Sequence, residues 1–218
     1  LGVLAEEGEQ DNSRLHKHAF WTIDPLDGTQ HFIEGRSGYA TSIALVSQSG
    51  KPILSAVYDP VHDTVYEALF GGGVRVNGEP LSPVENGAEK TTLFADRSLP
   101  TYPHYAPFKS HFEICFFGGA VMNALQLLTQ PNSVYLKAPK KSPGGCAIWD
   151  LAAVSLMITE AGGTDRTYDG EALHLNRAEN IFFHDTGFIF ASADVEIEDL
   201  LAQLRTMDAS IEMLGSVR

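Results

Sequence analysis

Trp21-Thr22-Ile23-Asp24-Pro25-Leu26-Asp27-Gly28-Thr29 is the stretch whose reading decides the fold. Asp24 and Asp27 are two carboxylates three positions apart. Pro25 fixes its own φ and biases Asp24 away from helical geometry. Gly28 lets the backbone turn or approach a ligand closely, and Thr29 adds a hydroxyl. Phe20–Ile23, just before, is an apolar, β-prone run. The pattern predicts a buried strand ending at Asp24, a tight turn, and a second acid beyond it. Carboxylates held this close repel each other unless a cation lies between them. Oxygen-only donors suit a hard divalent ion such as Mg²⁺. The same residue types also favour plain turns, so a loop without chemistry is the other reading.

Moving outward, acids recur at set places. Upstream stands Leu4-Ala5-Glu6-Glu7; downstream stand Trp149-Asp150-Leu151-Ala152-Ala153 and Glu160-Ala161-Gly162-Gly163. Asp24-Pro25-Leu26-Asp27-Gly28-Thr29 resembles the first signature of the inositol monophosphatase superfamily, and Trp149–Ala153 resembles the second. The acidic motif at Glu6 and the Glu160–Gly163 stretch follow the order of that family. The resemblance covers Leu1 to about Ala193. It implies a Mg²⁺-dependent, lithium-sensitive phosphatase acting on small phosphate monoesters. The implied fold is an α/β/α/β/α sandwich of the inositol monophosphatase / fructose-1,6-bisphosphatase type, lacking its first two helices here. Residues 1–90 are expected to form the metal-motif half with an antiparallel meander, and residues 91–218 a C-terminal α/β half of the same catalytic unit.

By the same resemblance, Glu6, Asp24, Asp27, Asp150 and the Leu26 carbonyl hold two or three Mg²⁺ ions. Glu6 and Thr29 position the attacking water, and the Gly28 and Thr29 N–H groups hold the phosphate. Asp150 also touches a substrate hydroxyl. Glu7 is expected to face away from Glu6, and Glu160 to act in packing or behind the ligands. The family usually has Ser or Thr where Gly119 stands, so a substrate contact there is either lost or supplied by backbone N–H. The segment that precedes the acidic motif in the family carries an Asp that orients the motif Thr, and Leu1-Gly2-Val3-Leu4 reads as the body of a strand without an initiator Met. Family members are commonly homodimers. The 3′(2′),5′-bisphosphate nucleotidases share every motif used so far. Phe32-Ile33 after the first motif and Ile148 before Trp149 resemble the bacterial nucleotidases slightly more. A catalytically silent metal-binding or scaffold protein is the reading from another class.

Composition sets limits on partners. A formal net charge of −13 argues against a nucleic-acid polymer or an anionic membrane as partner. It leaves room for an anionic substrate, because bound cations reverse the local sign. Cys115 and Cys146 have no Cys-x-x-Cys spacing and read as two inert thiols in a reducing, cytoplasmic setting. No apolar run approaches a membrane span, and no signal peptide is visible. The eight histidines lack ligand spacing, which argues against zinc.

Along the chain, Leu1–Ala5 reads as a strand and Gly8–His18 as a solvated loop. Gly28–Ile33 opens a short helix. Tyr39–Gln48, Pro52–Tyr58 and Thr64–Phe70 read as strands, and Val74–Val76 pairs across the Asn77-Gly78 turn. Gly71–Gly73 lacks the Lys and helix of a P-loop and reads as a turn. Thr91–Asp96, Ser133–Lys137, Thr164–Arg166, Ile181–His184 and Phe188–Ala191 are further strand candidates. Leu99–Lys109 reads as a loop, Ala120–Leu128 as a helix. Trp149–Ala161 is a helix ended by Gly162-Gly163, and Asp194–Met207 an amphipathic one. Lys137, Lys140 and Lys141 form a basic cluster, read as a solvated loop, with a second substrate phosphate as the alternative.

Overall fold

The structure, a computed structural model, describes residues 1–9, 12–82 and 89–215. Two sheets carry it. The first holds seven strands in chain order: β1 (Gly2–Ala5), β2 (Ala19–Asp27), β3 (Ala40–Ser47), β4 (Pro52–Asp59), β5 (Thr64–Leu69), β6 (Gly73–Val76) and β7 (Glu79–Pro80). Only the β1–β2 pair is parallel; the rest is a meander. The second sheet has the order β11 (Thr164–Arg166), β12 (Phe188–Ala191), β10 (Ser133–Lys137), β8 (Thr92–Phe94), β9 (Glu113–Cys115).

Between the sheets lie α3 (Ala120–Leu125) and α4 (Ile148–Glu160). α4 is apolar almost all round, and its buried residues run from Ile148 to Ile158 with Asp150 the exception. A helix of that kind must be covered on every side, and it packs on β2–β6 from one side and on α3, β11 and β12 from the others. β3 meets it through Ala40, Ser42, Ala44 and Val46, small residues that let sheet and helix approach closely. On the outer face of the second sheet, α2 (Tyr105–His111) and α5 (Ile197–Gly215) close a second core. Phe108, Phe112, Leu200, Leu201, Leu204 and Met207 lie there against Leu93, Val134 and Ile189. The layers are therefore sheet, helices, sheet, helices. Among the described residues, Val3, Leu54, Tyr58 and Leu69 of the first sheet are exposed.

Several local expectations are corrected. The segment read as a solvated loop at Gly8–His18 contains a 3₁₀ helix, Asn12–His16, and its Arg14 is fully buried. Arg14 donates to Asn176 Oδ1 (2.6 Å) and to the Arg177 carbonyl (2.7 Å), with its guanidinium over the Phe20 ring. Burial lowers its pKa. Those partners lie far along the chain, beyond the reach of any local pattern. Leu99–Lys109 is not a loop but a 3₁₀ turn, Leu99–Thr101, followed by α2. Pro107 sits in the first turn of α2, where its missing N–H costs nothing. Ile181–His184 forms only one bridge, Phe182 to Ala147, and the last helix starts at Ile197 rather than Asp194. No helix among the described residues is long and apolar enough to cross a membrane.

Candidate metal centre

The strand β2 does not stop at Asp24. It runs through the motif to Asp27, and its pairing with β3 shifts from Asp24↔Ser42 to Asp27↔Ala40. Three steps on β2 thus match two on β3, which is a β-bulge. The bulge matters because a regular strand sends residues an odd number apart to opposite faces. With the extra residue, Asp24 and Asp27 both face inward and are both buried, at 1% and 7% exposure. Pro25 suits the bulge because it has no N–H to leave unpaired. The Leu26 N–H donates to Asp24 Oδ1 (2.9 Å), and the Thr29 hydroxyl donates to the Leu26 carbonyl (3.1 Å). Gly28 then takes φ +80°, and a Cβ there would lie 2.7 Å from the Gly38 carbonyl, so only glycine fits. It starts α1 (Thr29–Ile33).

The third acid arrives on α4. Asp150 Oδ2 accepts the Ala147 N–H (2.6 Å), so this carboxylate does cap the helix start. Its capping role does not exclude a second one: one oxygen each of Asp24, Asp27 and Asp150 lies within 4.8 Å of the others. Glu6, at the exposed end of β1, completes the row beside Asp24. Glu7 is exposed next to it.

The electrostatics match the geometry. Desolvation and the neighbouring Asp150 charge raise Asp24 to about 7. Desolvation and Asp24 raise Glu6 to about 7. Burial raises Asp27 and Asp150 as well, with the Asp24 charge second for Asp27 and the Asp27 charge second for Asp150. Asp27 is the best supported of the four: the N–H groups of Ala120 and Val121, at the start of α3, donate to its two oxygens (3.1 and 2.9 Å). The donor set is all oxygen, charged and crowded, which fits a hard divalent cation and not a soft one. Among the described residues no other group of three or more acids, His or Cys brings its ligand atoms this close together.

Gly119 has a structural reason. A Cβ there would sit on Asp27 Oδ2 and 2.6 Å from Gly28 Cα. Its N–H is donated to the Gly38 carbonyl (2.8 Å). Glu160 is also far from the acids. It accepts the Gly71 and Gly73 N–H groups (2.7 and 2.9 Å), tying down the triple-glycine turn.

Pattern alone passed over Asp96 and read Lys137 first as part of a solvated loop. Asp96, just past β8, lines the same cleft as Asp27, Asp150 and Gly119. It accepts from Asn123 Nδ2 and the Tyr135 hydroxyl, both at 3.2 Å. Lys137, read as part of a solvated loop, ion-pairs with Asp96 and lies 3.0 Å from Cys146 Sγ. Burial works against its charge, and the Cys146 sulfur and the Asp96 carboxylate beside it more than offset that. Burial pushes the Cys146 thiol up to about 12, so it is protonated at neutral pH; Cys115 is only half-buried. The one available signal was position: Asp96 and Lys137 each stand at the carboxyl end of one of two parallel strands, where α/β sheets place their ligands.

The sequence model of the inositol monophosphatase family matches residues 2–209. The chain belongs to the inositol monophosphatase family. It is 27% identical over 205 residues to the inositol-1-monophosphatase of Bacillus subtilis (strain 168), covering 85% of this chain and 72% of that protein. It is 28% identical over 199 residues to the 3′(2′),5′-bisphosphate nucleotidase CysQ of Buchnera aphidicola, covering 88% and 72%. A solved structure described as an IMPase/NADP phosphatase complexed with Mg²⁺ and phosphate superposes with a TM-score of 0.72 at 23% identity, over 92% of this chain and 72% of that one. At that identity the likeness is one of fold. Sequence places this inositol monophosphatase family member among phosphatases, and its architecture is the fold they share.

Proposed function

We propose that the chain hydrolyses a small phosphate monoester with two or three Mg²⁺ ions, and that lithium inhibits it. The observation that carries this reading is the convergence of Asp24, Asp27 and Asp150, with one carboxylate oxygen of each within 4.8 Å of the others. In this reading those three, Glu6 and the Leu26 carbonyl hold the ions. Bound divalent ions supply charge relief at phosphorus and lower the pKa of water. The chain's own groups do the rest. Glu6, at the rim, takes the proton of the attacking water, and Thr29 orients that water through its hydroxyl. The Gly28 and Thr29 N–H groups receive phosphate oxygens at the start of α1. Asp150 has one oxygen committed to the Ala147 N–H, leaving the other for an ion and a substrate hydroxyl. Gly119 keeps the cleft floor low beside Asp27.

A second reading, hydrolysis of a 3′,5′-bisphosphate nucleotide, is supported by the CysQ relative and by Lys137, a cation in the wall of the acid cleft. The test is phosphate release from inositol monophosphate and from adenosine 3′,5′-bisphosphate, each with and without Mg²⁺ and Li⁺. Release that requires Mg²⁺ and falls with Li⁺ is the expected result. No release from any monoester overturns the reading in favour of a silent metal-binding scaffold. Homodimerisation belongs to the same proposal and is read by light scattering.

A further inference from the structure

The mechanism above leaves one side chain of the acid cleft without a task. His31, on α1, lines that cleft together with Asp27, Gly119 and Asp150. The residue is buried, at 6% exposure, and its ring packs against the chain at Gly38, where an added Cβ would lie 3.0 Å from Nδ1. Nδ1 stands 2.8 Å from the Ser37 carbonyl oxygen. A carbonyl only accepts, so Nδ1 carries a hydrogen and the bond fixes the ring. Among the described residues Nε2 has no partner, yet it is not sealed from solvent. We propose that His31 is the general acid of the reaction, with Nε2 giving its proton to the departing ester oxygen. The inference rests on the phosphatase reading and adds a catalytic residue to it.

The side of approach supports this role. Thr29 and His31 are two positions apart on α1, about 200° around a helix, and Thr29 is exposed where His31 is buried. In the phosphatase reading Glu6 and Thr29 serve the attacking water, and neither lines the cleft. Attacking and leaving oxygens stand roughly in line through phosphorus, on opposite sides. With the water on the Glu6–Thr29 side, the leaving oxygen points into the cleft, where His31 is. The other proton carriers there are poorly suited. Burial pushes the Cys146 thiol up to about 12. Lys137 is ion-paired with Asp96, and Arg97, paired with Glu34, has a guanidinium that does not give up its proton. Asp27 and Asp150 belong to the acid row. The step balances. The bond from phosphorus to the leaving oxygen breaks as the bond to the water oxygen forms. Nε2 passes its proton to the leaving oxygen, an alcohol departs, and a lone pair stays on Nε2. The proton of the water goes to Glu6, and exchange with solvent restores both side chains.

The test compares two esters in saturating Mg²⁺. β-Glycerophosphate releases an alkoxide, which needs a proton; p-nitrophenyl phosphate releases a stable phenolate, which does not. The variants are His31→Asn, whose amide still donates to the Ser37 carbonyl, and His31→Gln, whose longer amide reaches the place of Nε2 with no proton to give. In both, kcat for β-glycerophosphate is expected to fall by about a hundredfold or more, and kcat for p-nitrophenyl phosphate by less than about threefold. Mg²⁺ is expected to raise the melting midpoint of each variant as much as that of wild type. An equal loss on both esters, or a smaller Mg²⁺ rise, makes His31 a structural residue and overturns the inference, as does turnover of β-glycerophosphate at the wild-type rate; the phosphatase reading then stands. Wild type that hydrolyses neither ester overturns the phosphatase reading and this inference with it. Should one variant not fold, the ratio of the two esters in the other carries the decision.

Discussion

Replacing Asp24 by Asn removes one charge from the acid row while keeping its shape. The amide side chain retains an oxygen for the Leu26 N–H, so the bulge keeps its local bond. In the metal-free protein the Asp24 carboxyl is raised from 3.8 to about 7. At about 1.36 kcal/mol per unit, full ionisation at pH 8 costs about 4 kcal/mol. Halved because the neighbouring Glu6 is exposed and lets water screen the row, about 2 kcal/mol remains. The sign follows from proton binding. Between about pH 4 and 7 the folded state holds a proton that the unfolded state has lost, so native stability falls as pH rises through that window. Asp24→Asn is therefore expected to stabilise the metal-free protein at pH 8 and to be neutral near pH 4. For a chain of this length, about 2 kcal/mol corresponds to a rise in melting midpoint of roughly 4–8 °C. Saturating Mg²⁺, at about a hundred times its Kd, raises wild type by about 2.7 kcal/mol, and Asp24→Asn loses most of that gain. The assay is thermal unfolding at pH 5 and pH 8, with chelator and with Mg²⁺. A variant less stable than wild type at pH 8 in chelator, or one gaining as much from Mg²⁺, refutes the cation-site argument.

Gly119→Ser puts a Cβ on Asp27 Oδ2; it is expected to cost about 1–3 kcal/mol of stability and to weaken Mg²⁺ at least tenfold, read by Mg²⁺ titration of turnover. Glu160→Ala frees the Gly71 and Gly73 N–H groups; a loss of about 1–2 kcal/mol in urea unfolding with unchanged kcat is expected. Arg14→Met removes buried bonds to Asn176 and Arg177 and is expected to cost about 1–3 kcal/mol by leaving those acceptors unpaired, measured in the same way.

Much of the architecture is legible from short-range pattern. The alternation at Tyr39–Gln48, the Asn77-Gly78 turn and the continuous apolar run of α4 each announce their element, because pleat, turn and buried helix impose their own periods on neighbouring residues. The acids of the site are legible too, as residue types with a fixed order. What pattern does not carry is coupling across long separations. Arg14 looks like any surface arginine until Asn176 reaches it. Lys137 looks like one of three solvated lysines until Asp96 pairs with it. Glu160 looks like an auxiliary of Asp150 until it closes on the glycine turn. In each case a polar group is placed by a partner elsewhere in the chain, which offsets the cost of leaving water.

From the sequence by itself came the strands, the central helix, the all-oxygen donor set and hence the hardness of the ion it suits, since these depend on residue type and local spacing. Only the tertiary structure decided that Asp24 and Asp27 share a face, because a one-residue bulge sets that and periodicity argues the reverse. It alone brought Asp150 into their reach, put a helix start behind Asp27 and set His31 in the wall of their cleft, since those arrangements exist only where separate sheets and helices pack together.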